Sequence, residues 1–216
     1  MNQTHDSKNF FLHGPAGRLE AVLWTPLGRP PAMAALVCHP HPLFGGTLHN
    51  KVVYQAAKAL DSLGIPVLRF NFRGAGLSEG SHDRGLGERE DVRTALNFLA
   101  KEFPLTPLLL AGFSFGCWVG LRVGCEYQRV AKLVGIGAPV NDSDFSYLQS
   151  CAKPKLFVQG SNDQFGDPAK LRAIVEELPG TNEMVVVNGV DHFFTGKIGE
   201  LGTAIVDWVS SALLLK

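Results

Sequence analysis

From about residue 32 onward, short apolar runs rich in β-formers alternate with segments of helical period, and this alternation leaves few architectures open to the chain. Met33 to Cys38, Pro66 to Phe70, Leu108 to Gly112, Leu133 to Ile136, Lys155 to Gln159 and Met184 to Val187 are the strand candidates. Most are near-continuous hydrophobic runs rather than in–out alternations, as expected of parallel strands covered on both faces. Two earlier segments, Phe10 to His13 and Leu19 to Trp24, can pair antiparallel across Gly14-Pro15-Ala16-Gly17 and form one edge. The predicted fold class is α/β, a mostly parallel central sheet of about seven or eight strands with helices on both faces.

The helices are legible from their apolar stripes. Val52, Ala56, Ala59, Leu60 and Leu63 share one face, and Gly64 and Pro66 supply stop signals. Val92, Ala95, Leu96, Leu99 and Phe103 form a second stripe, with Glu88, Glu90 and Asp91 at its start, where acidic groups complement the helix dipole. A last helix from about Ile198 places Leu201, Ile205, Trp208 and Val209 together. At 216 residues the chain suits one domain, 1–216, burying roughly 70% of its unfolded surface, with 1–8 expected as a flexible N-terminal tail.

Composition narrows the function classes. Lys+Arg and Asp+Glu balance at 20 each and no dense basic run occurs, which argues against a nucleic-acid partner. The longest apolar runs, Pro107 to Ala111 and Leu133 to Val140, fall far short of the ~20 residues a membrane helix needs, so no membrane partner is expected. The opening Met1-Asn2-Gln3-Thr4-His5-Asp6 lacks the apolar core of a secretory signal, and the expected location is cytoplasmic. Cys38, Cys117, Cys125 and Cys151 form no C-x-x-C pair and read as reduced, packed residues; Cys117, three positions after the serine discussed next, reads as a small buried helix residue.

Gly112-Phe113-Ser114-Phe115-Gly116 follows the apolar run Leu108-Leu109-Leu110-Ala111 and precedes a segment of small and apolar residues. A G-x-S-x-G string alone is weak, because its glycines can simply permit close strand–helix packing and its serine can cap a helix. The strand before and helix after give it a mechanism: a strained turn projects the Ser114 hydroxyl above the sheet, and glycines at 112 and 116 remove colliding side chains.

A serine hydroxyl is a poor nucleophile at neutral pH, so a histidine must take its proton and a carboxylate must fix that histidine's tautomer. Of the seven histidines, His192 follows the run Met184 to Val187 and sits at a strand's C-terminal end, where open α/β sheets build their sites. Asp163, just beyond Lys155 to Gln159, occupies an equivalent place and completes the chain order Ser, Asp, His. Its rivals are Asp167, better placed to cap the helix opened by Pro168, and Asp191, too close in sequence to fold back onto its neighbour's ring.

An acyl-transfer site also needs two N–H donors for a developing oxyanion. Phe115 supplies one. The second must come from His39-Pro40-His41-Pro42-Leu43-Phe44-Gly45-Gly46-Thr47; Pro40 and Pro42 have no N–H, which leaves His41, favoured here, with Leu43 as the alternative. His39, His41 and His49 match no helical or hairpin ligand spacing, so no metal is expected. The Gly-rich stretch Asn71 to Gly80 has the spacing G-x-G-x-x-x-G and does not open a helix, so it reads as a tight surface loop rather than a phosphate cradle.

Taken together, His39 to Lys51, Asn71-Phe72-Arg73-Gly74-Ala75-Gly76 and Asp191-His192-Phe193-Phe194 resemble the α/β-hydrolase superfamily over the chain from about residue 17. The likeness is to a small bacterial lid-less subgroup resembling dienelactone hydrolases and short-chain esterases. The resemblance implies the α/β-hydrolase fold and a serine esterase or thioesterase with the triad at Ser114, Asp163 and His192. It implies no cofactor, and a small-molecule ester or thioester as substrate. Dienelactone hydrolases proper carry a cysteine nucleophile, where this chain has Ser114. Only Pro139 to Pro154 separate two strands at the place where many relatives insert a lid, so no separate cap domain is expected. Phe44, Phe145, Tyr147 and Phe165 are candidates to roof an acyl pocket. Two other readings fit the same residues: amidase or peptidase chemistry on the triad, and a binding protein that keeps the fold without turnover.

Overall fold

The computed structural model describes residues 5–28 and 30–213. It contains β1 (His5–Gly14), β2 (Gly17–Pro26), β3 (Ala34–Cys38), α1 (Lys51–Asp61), β4 (Val67–Phe70), α2 (Leu86–Glu102), β5 (Leu108–Phe113) and α3 (Phe115–Glu126). These are followed by β6 (Val130–Ile136), β7 (Lys155–Gly160), α4 (Pro168–Glu176), β8 (Asn182–Val187) and α5 (Ile198–Leu213). The strands form one eight-stranded sheet in the order β1-β2-β4-β3-β5-β6-β7-β8. β1 and β2 run antiparallel at the edge, and from β4 to β8 every pairing is parallel.

Alternation along the central strands splits the core in two. Leu108 and Leu110 of β5 join Leu36 of β3 in a cluster under α2, α3 and α4, while Leu109, Ala111 and Phe113 join Val37 in a second cluster under α1 and α5. Both faces are therefore apolar, which is why these strands read as continuous hydrophobic runs. Between β6 and β7 the chain carries one short 3-10 turn, Ser146–Ser150, and no inserted cap.

The expected tail is corrected by β1. Residues 5–8 are strand residues paired with β2, and 1–4 lie outside the described residues. The end of this strand is anchored by side chains: the His5 ring stacks on Trp24 at 4.5 Å, and its Nδ1 lies 2.8 Å from Asp61 Oδ2. No helix among the described residues is long and apolar enough to cross a membrane.

β7 begins with a buried lysine. The Lys155 ammonium donates to the Cys151, Lys153 and Pro179 carbonyls and to Asn182 Oδ1, tying the loop before β7 to the turn before β8. Burial lowers its pKa, and these acceptors hold the charge. Lys155→Met strips buried acceptors of their donor, and we expect a loss of about 2–4 kcal/mol in unfolding free energy, measured by urea titration.

Candidate active site

The turn from β5 into α3 brings two backbones together. A Cβ at Gly112 would collide with the Gly116 carbonyl, and one at Gly116 would meet the Cys38 carbonyl oxygen at 2.6 Å. Gly120 and Gly124 continue this stripe along α3 at helical spacing, where Cβ atoms would press on Leu110 and Leu133. The helix that carries Ser114 at its N-terminus is thereby seated on β3, β5 and β6. Ser114 has φ 55° and ψ −120°, a conformation that disfavours any side chain, and its N–H donates to Ile136 O at 2.9 Å. This is the strained elbow expected from the motif.

Asp163 and His192 meet at the same sheet edge, 29 residues apart in sequence. His192 Nδ1 lies 2.7 Å from Asp163 Oδ2, and both side chains are buried. Asp163 is held from all sides: Gln159 Nε2 donates to Oδ2 at 2.9 Å, and the Phe165 and Gly166 N–H groups donate to Oδ1 at 2.9 and 3.2 Å. A carboxylate so placed accepts a hydrogen bond donated by the His192 Nδ1–H, which leaves Nε2 of that tautomer as the free basic nitrogen. The ring is clamped between Phe113 at 4.8 Å and Phe165 at 4.7 Å. Gly137 makes room for it, since a Cβ there would lie 3.1 Å from His192 Cε1.

The rivals have other work. Asp167 caps α4 by accepting from Ala169 N at 2.7 Å, and Asp191 accepts from the Phe193 and Thr195 N–H groups. Gln159 and Gly137 went unnoticed in the sequence; a lone polar residue at the end of the apolar run Lys155 to Gln159 was the available signal for the first.

Ser114, His192, Phe115 and His41 line one cavity of about 340 Å³, near the lower bound of small-ligand sites. A larger hollow of about 520 Å³ between β8 and α5 holds neither histidine nor elbow serine and offers no comparable chemistry. Among the described residues the Phe115 and His41 N–H groups make no hydrogen bond, whereas the Leu43 N–H donates to His41 Nδ1 at 3.2 Å. That engagement removes Leu43 as the alternative donor. Phe44 and Phe165 line the cavity as expected; Phe145 and Tyr147 do not. Phe145 is core, and the Tyr147 hydroxyl donates to the Trp118 carbonyl, because their turn folds down onto α3 instead of over the sheet edge. Phe193, unanticipated, completes the aromatic wall. Cys117 is fully buried, its thiol pKa pushed up by that burial, which holds it as the un-ionised thiol.

The loop carrying His41 is braced from below. His39 is buried between two backbone partners, its Nδ1 2.6 Å from Pro40 O and its Nε2 accepting the Phe72 N–H at 2.9 Å. The stretch read as a surface loop is thus partly interior: Asn71 and Phe72 are buried, and Asn71 Oδ1 accepts the Leu48 N–H at 2.7 Å. The acidic start of α2 is likewise more than a dipole partner. Asp91 grips Arg73 at 2.7 Å, and the buried Glu88 accepts the Asp83 and Gly85 N–H groups.

A family model described as alpha/beta hydrolase domain matches residues 37–204. A serine hydrolase homologue from Coxiella burnetii is 40% identical, the alignment covering 93% of this chain and 96% of that one, with a TM-score of 0.87. A Xanthomonas campestris protein, described as a serine hydrolase without lid, is 37% identical over 95% of this chain and 94% of that one, with a TM-score of 0.88. An uncharacterised protein of Rickettsia prowazekii is 38% identical over 92% of this chain and 87% of its own length.

Two measurements probe this site's construction. Because φ at 114 favours glycine, Ser114→Gly should unfold about 1 kcal/mol higher than Ser114→Ala, compared by thermal denaturation. Burial lowers the His39 pKa from 6.5 to about 4. The folded state favours the neutral ring, so between those values the unfolded chain binds the extra proton and stability falls as pH drops. The loss from this residue is about 3 kcal/mol across pH 6.5 to 4, and that part should vanish in His39→Gln.

Proposed function

Since this chain belongs to the α/β-hydrolase family, in its small bacterial lid-less branch, we propose that it is a serine esterase or thioesterase working through an acyl-enzyme with Ser114, His192 and Asp163. The observation that carries the reading is His192, held by the buried Asp163 at 2.7 Å and lining one cavity with the strained Ser114.

In this mechanism Ser114 Oγ attacks the substrate's carbonyl carbon while His192 Nε2 takes the hydroxyl proton. Asp163 holds the ring's tautomer and stabilises the imidazolium. The oxyanion of the tetrahedral intermediate accepts hydrogen bonds from the Phe115 and His41 N–H groups. As the carbon–oxygen or carbon–sulfur bond breaks, His192 returns the proton to the leaving alkoxide or thiolate. Water then repeats the sequence on the acyl-serine and releases the acid. Every group in this scheme comes from the chain, so no cofactor is needed, and the substrate is a small molecule reaching an open site. The four free thiols suit a reducing compartment, and we place the protein in the cytoplasm.

We expect fluorophosphonate to label Ser114 and no other residue, as located by mass spectrometry. Ser114→Ala should abolish p-nitrophenyl acetate hydrolysis, and Asp163→Asn should lower kcat about 10⁴-fold with binding retained. Undiminished hydrolysis by the alanine variant would sink the proposal.

A further inference from the structure

The cavity wall contains one carboxylate with no structural task. Asp142 is an exposed residue of the loop after β6 that lines the cavity, and among the described residues its carboxylate oxygens make no hydrogen bond or ion pair. Its neighbours are all employed: Asp144 caps the turn at Ser146, Asp163 holds His192, Asp167 caps α4 and Asp191 closes its own turn. The loop that carries Asp142 is itself well fixed, since the Asn141 N–H donates to Phe165 O at 3.2 Å and Asn141 Nδ2 to Gln164 O at 3.2 Å.

The rest of the wall decides what that charge meets. Phe44, Phe115, Phe165 and Phe193 line the same cavity, and no lysine or arginine does. Lys51 lies outside it, its ammonium 5.9 Å from the Phe193 centroid and its charge acting on Asp191. Lys170 donates to the Asn141 carbonyl at 3.4 Å. The titratable wall groups besides Asp142 are His192 and His41, and burial together with the neighbouring His82 lowers the His41 pKa, keeping that ring neutral at pH 7.

An unpaired carboxylate lining the cavity in which an oxyanion forms opposes ester hydrolysis, because the two negative charges repel across a cavity on the order of 10 Å wide, a repulsion that solvent around the exposed group partly screens. A substrate bearing a positive group removes the penalty, and the aromatic rings that line the same cavity attract that group. We propose that Asp142 is a specificity-determining residue and that the substrates are esters or thioesters carrying an ammonium group, with carboxylate-bearing acyl chains rejected. The inference rests on the serine-hydrolase reading above.

The test uses the full chain and three p-nitrophenyl esters of matched length: a 4-trimethylammoniobutyrate, a neutral alkanoate and a hemisuccinate. At low salt, kcat/KM should fall in the order cation, neutral, anion, with roughly 3- to 20-fold between neighbours for charges at this separation, and the spread should shrink as salt screens the carboxylate. Asp142→Asn should bring the cation-to-anion ratio near one, and Asp142→Lys should invert it; Asp142→Ser and the wild-type salt series serve if either variant misfolds. A ratio that survives Asp142→Asn, or a wild type that prefers the anion, overturns the proposal and leaves the hydrolase reading standing. Inertness toward all three esters together with no fluorophosphonate labelling of Ser114 overturns both.

Discussion

The site depends first on a steric fact, the near-contact of two backbones where β5 turns into α3. Gly112 and Gly116 let the strand reverse into a helix within one residue, and the helix then lies so close to the sheet that Gly120 and Gly124 are also required. The strain sits at Ser114, whose φ of 55° is tolerated because the glycine contacts on either side and the bond to Ile136 O leave the chain no other path. Small residues throughout this seam matter more than any single attraction, since in a close-packed interior an added methyl group must displace a neighbour.

A second layer of structure aims the loops that surround the serine. The His39 ring spends both nitrogens on backbone partners, so it can be neutral and buried while it ties the His41 loop to Phe72. Asp91 with Arg73, and Glu88 with the backbone before α2, tie the loop after β4 to the start of α2. Such buried polar groups are stable only when each donor and acceptor is matched, which makes the network rigid, and the Phe115 and His41 N–H groups, without an acceptor among the described residues, stand out against it.

On the other side, Asp163 is fixed by four donors, His192 among them, drawn from β7, from its own loop and from the loop after β8. A carboxylate held this way can orient an imidazole without taking up its proton, which is the condition for Nε2 to serve as a base. The aromatic clamp of Phe113 and Phe165 fixes the ring plane. Asp142 is the contrast: it stands exposed on a loop anchored through Asn141 and pairs with nothing within the described residues, a charge open to solvent and to a ligand.

The strand runs, the helix stripes and the G-x-S-x-G turn were legible along the chain because burial on two faces, helical periodicity and a glycine-bounded reversal are local constraints on residue type. The placement of Ser114, His192 and Asp163 at the ends of strand runs was readable for the same reason. What lay beyond local reading depended on contacts between distant segments. Residues 5–8 are strand through their pairing with β2, an end where Trp24 and Asp61 also receive His5, and Phe145 and Tyr147 left the site because their turn packs on α3. Leu43 lost its place as a donor to the His41 ring, and Gln159, Gly137, Phe193 and Asp142 acquired meaning only beside partners tens of residues away. Residue type and spacing determine which elements form and where a nucleophile can stand; which donors stay free and which charge stays unpaired is decided by tertiary packing, because hydrogen bonding and burial are properties of pairs in space.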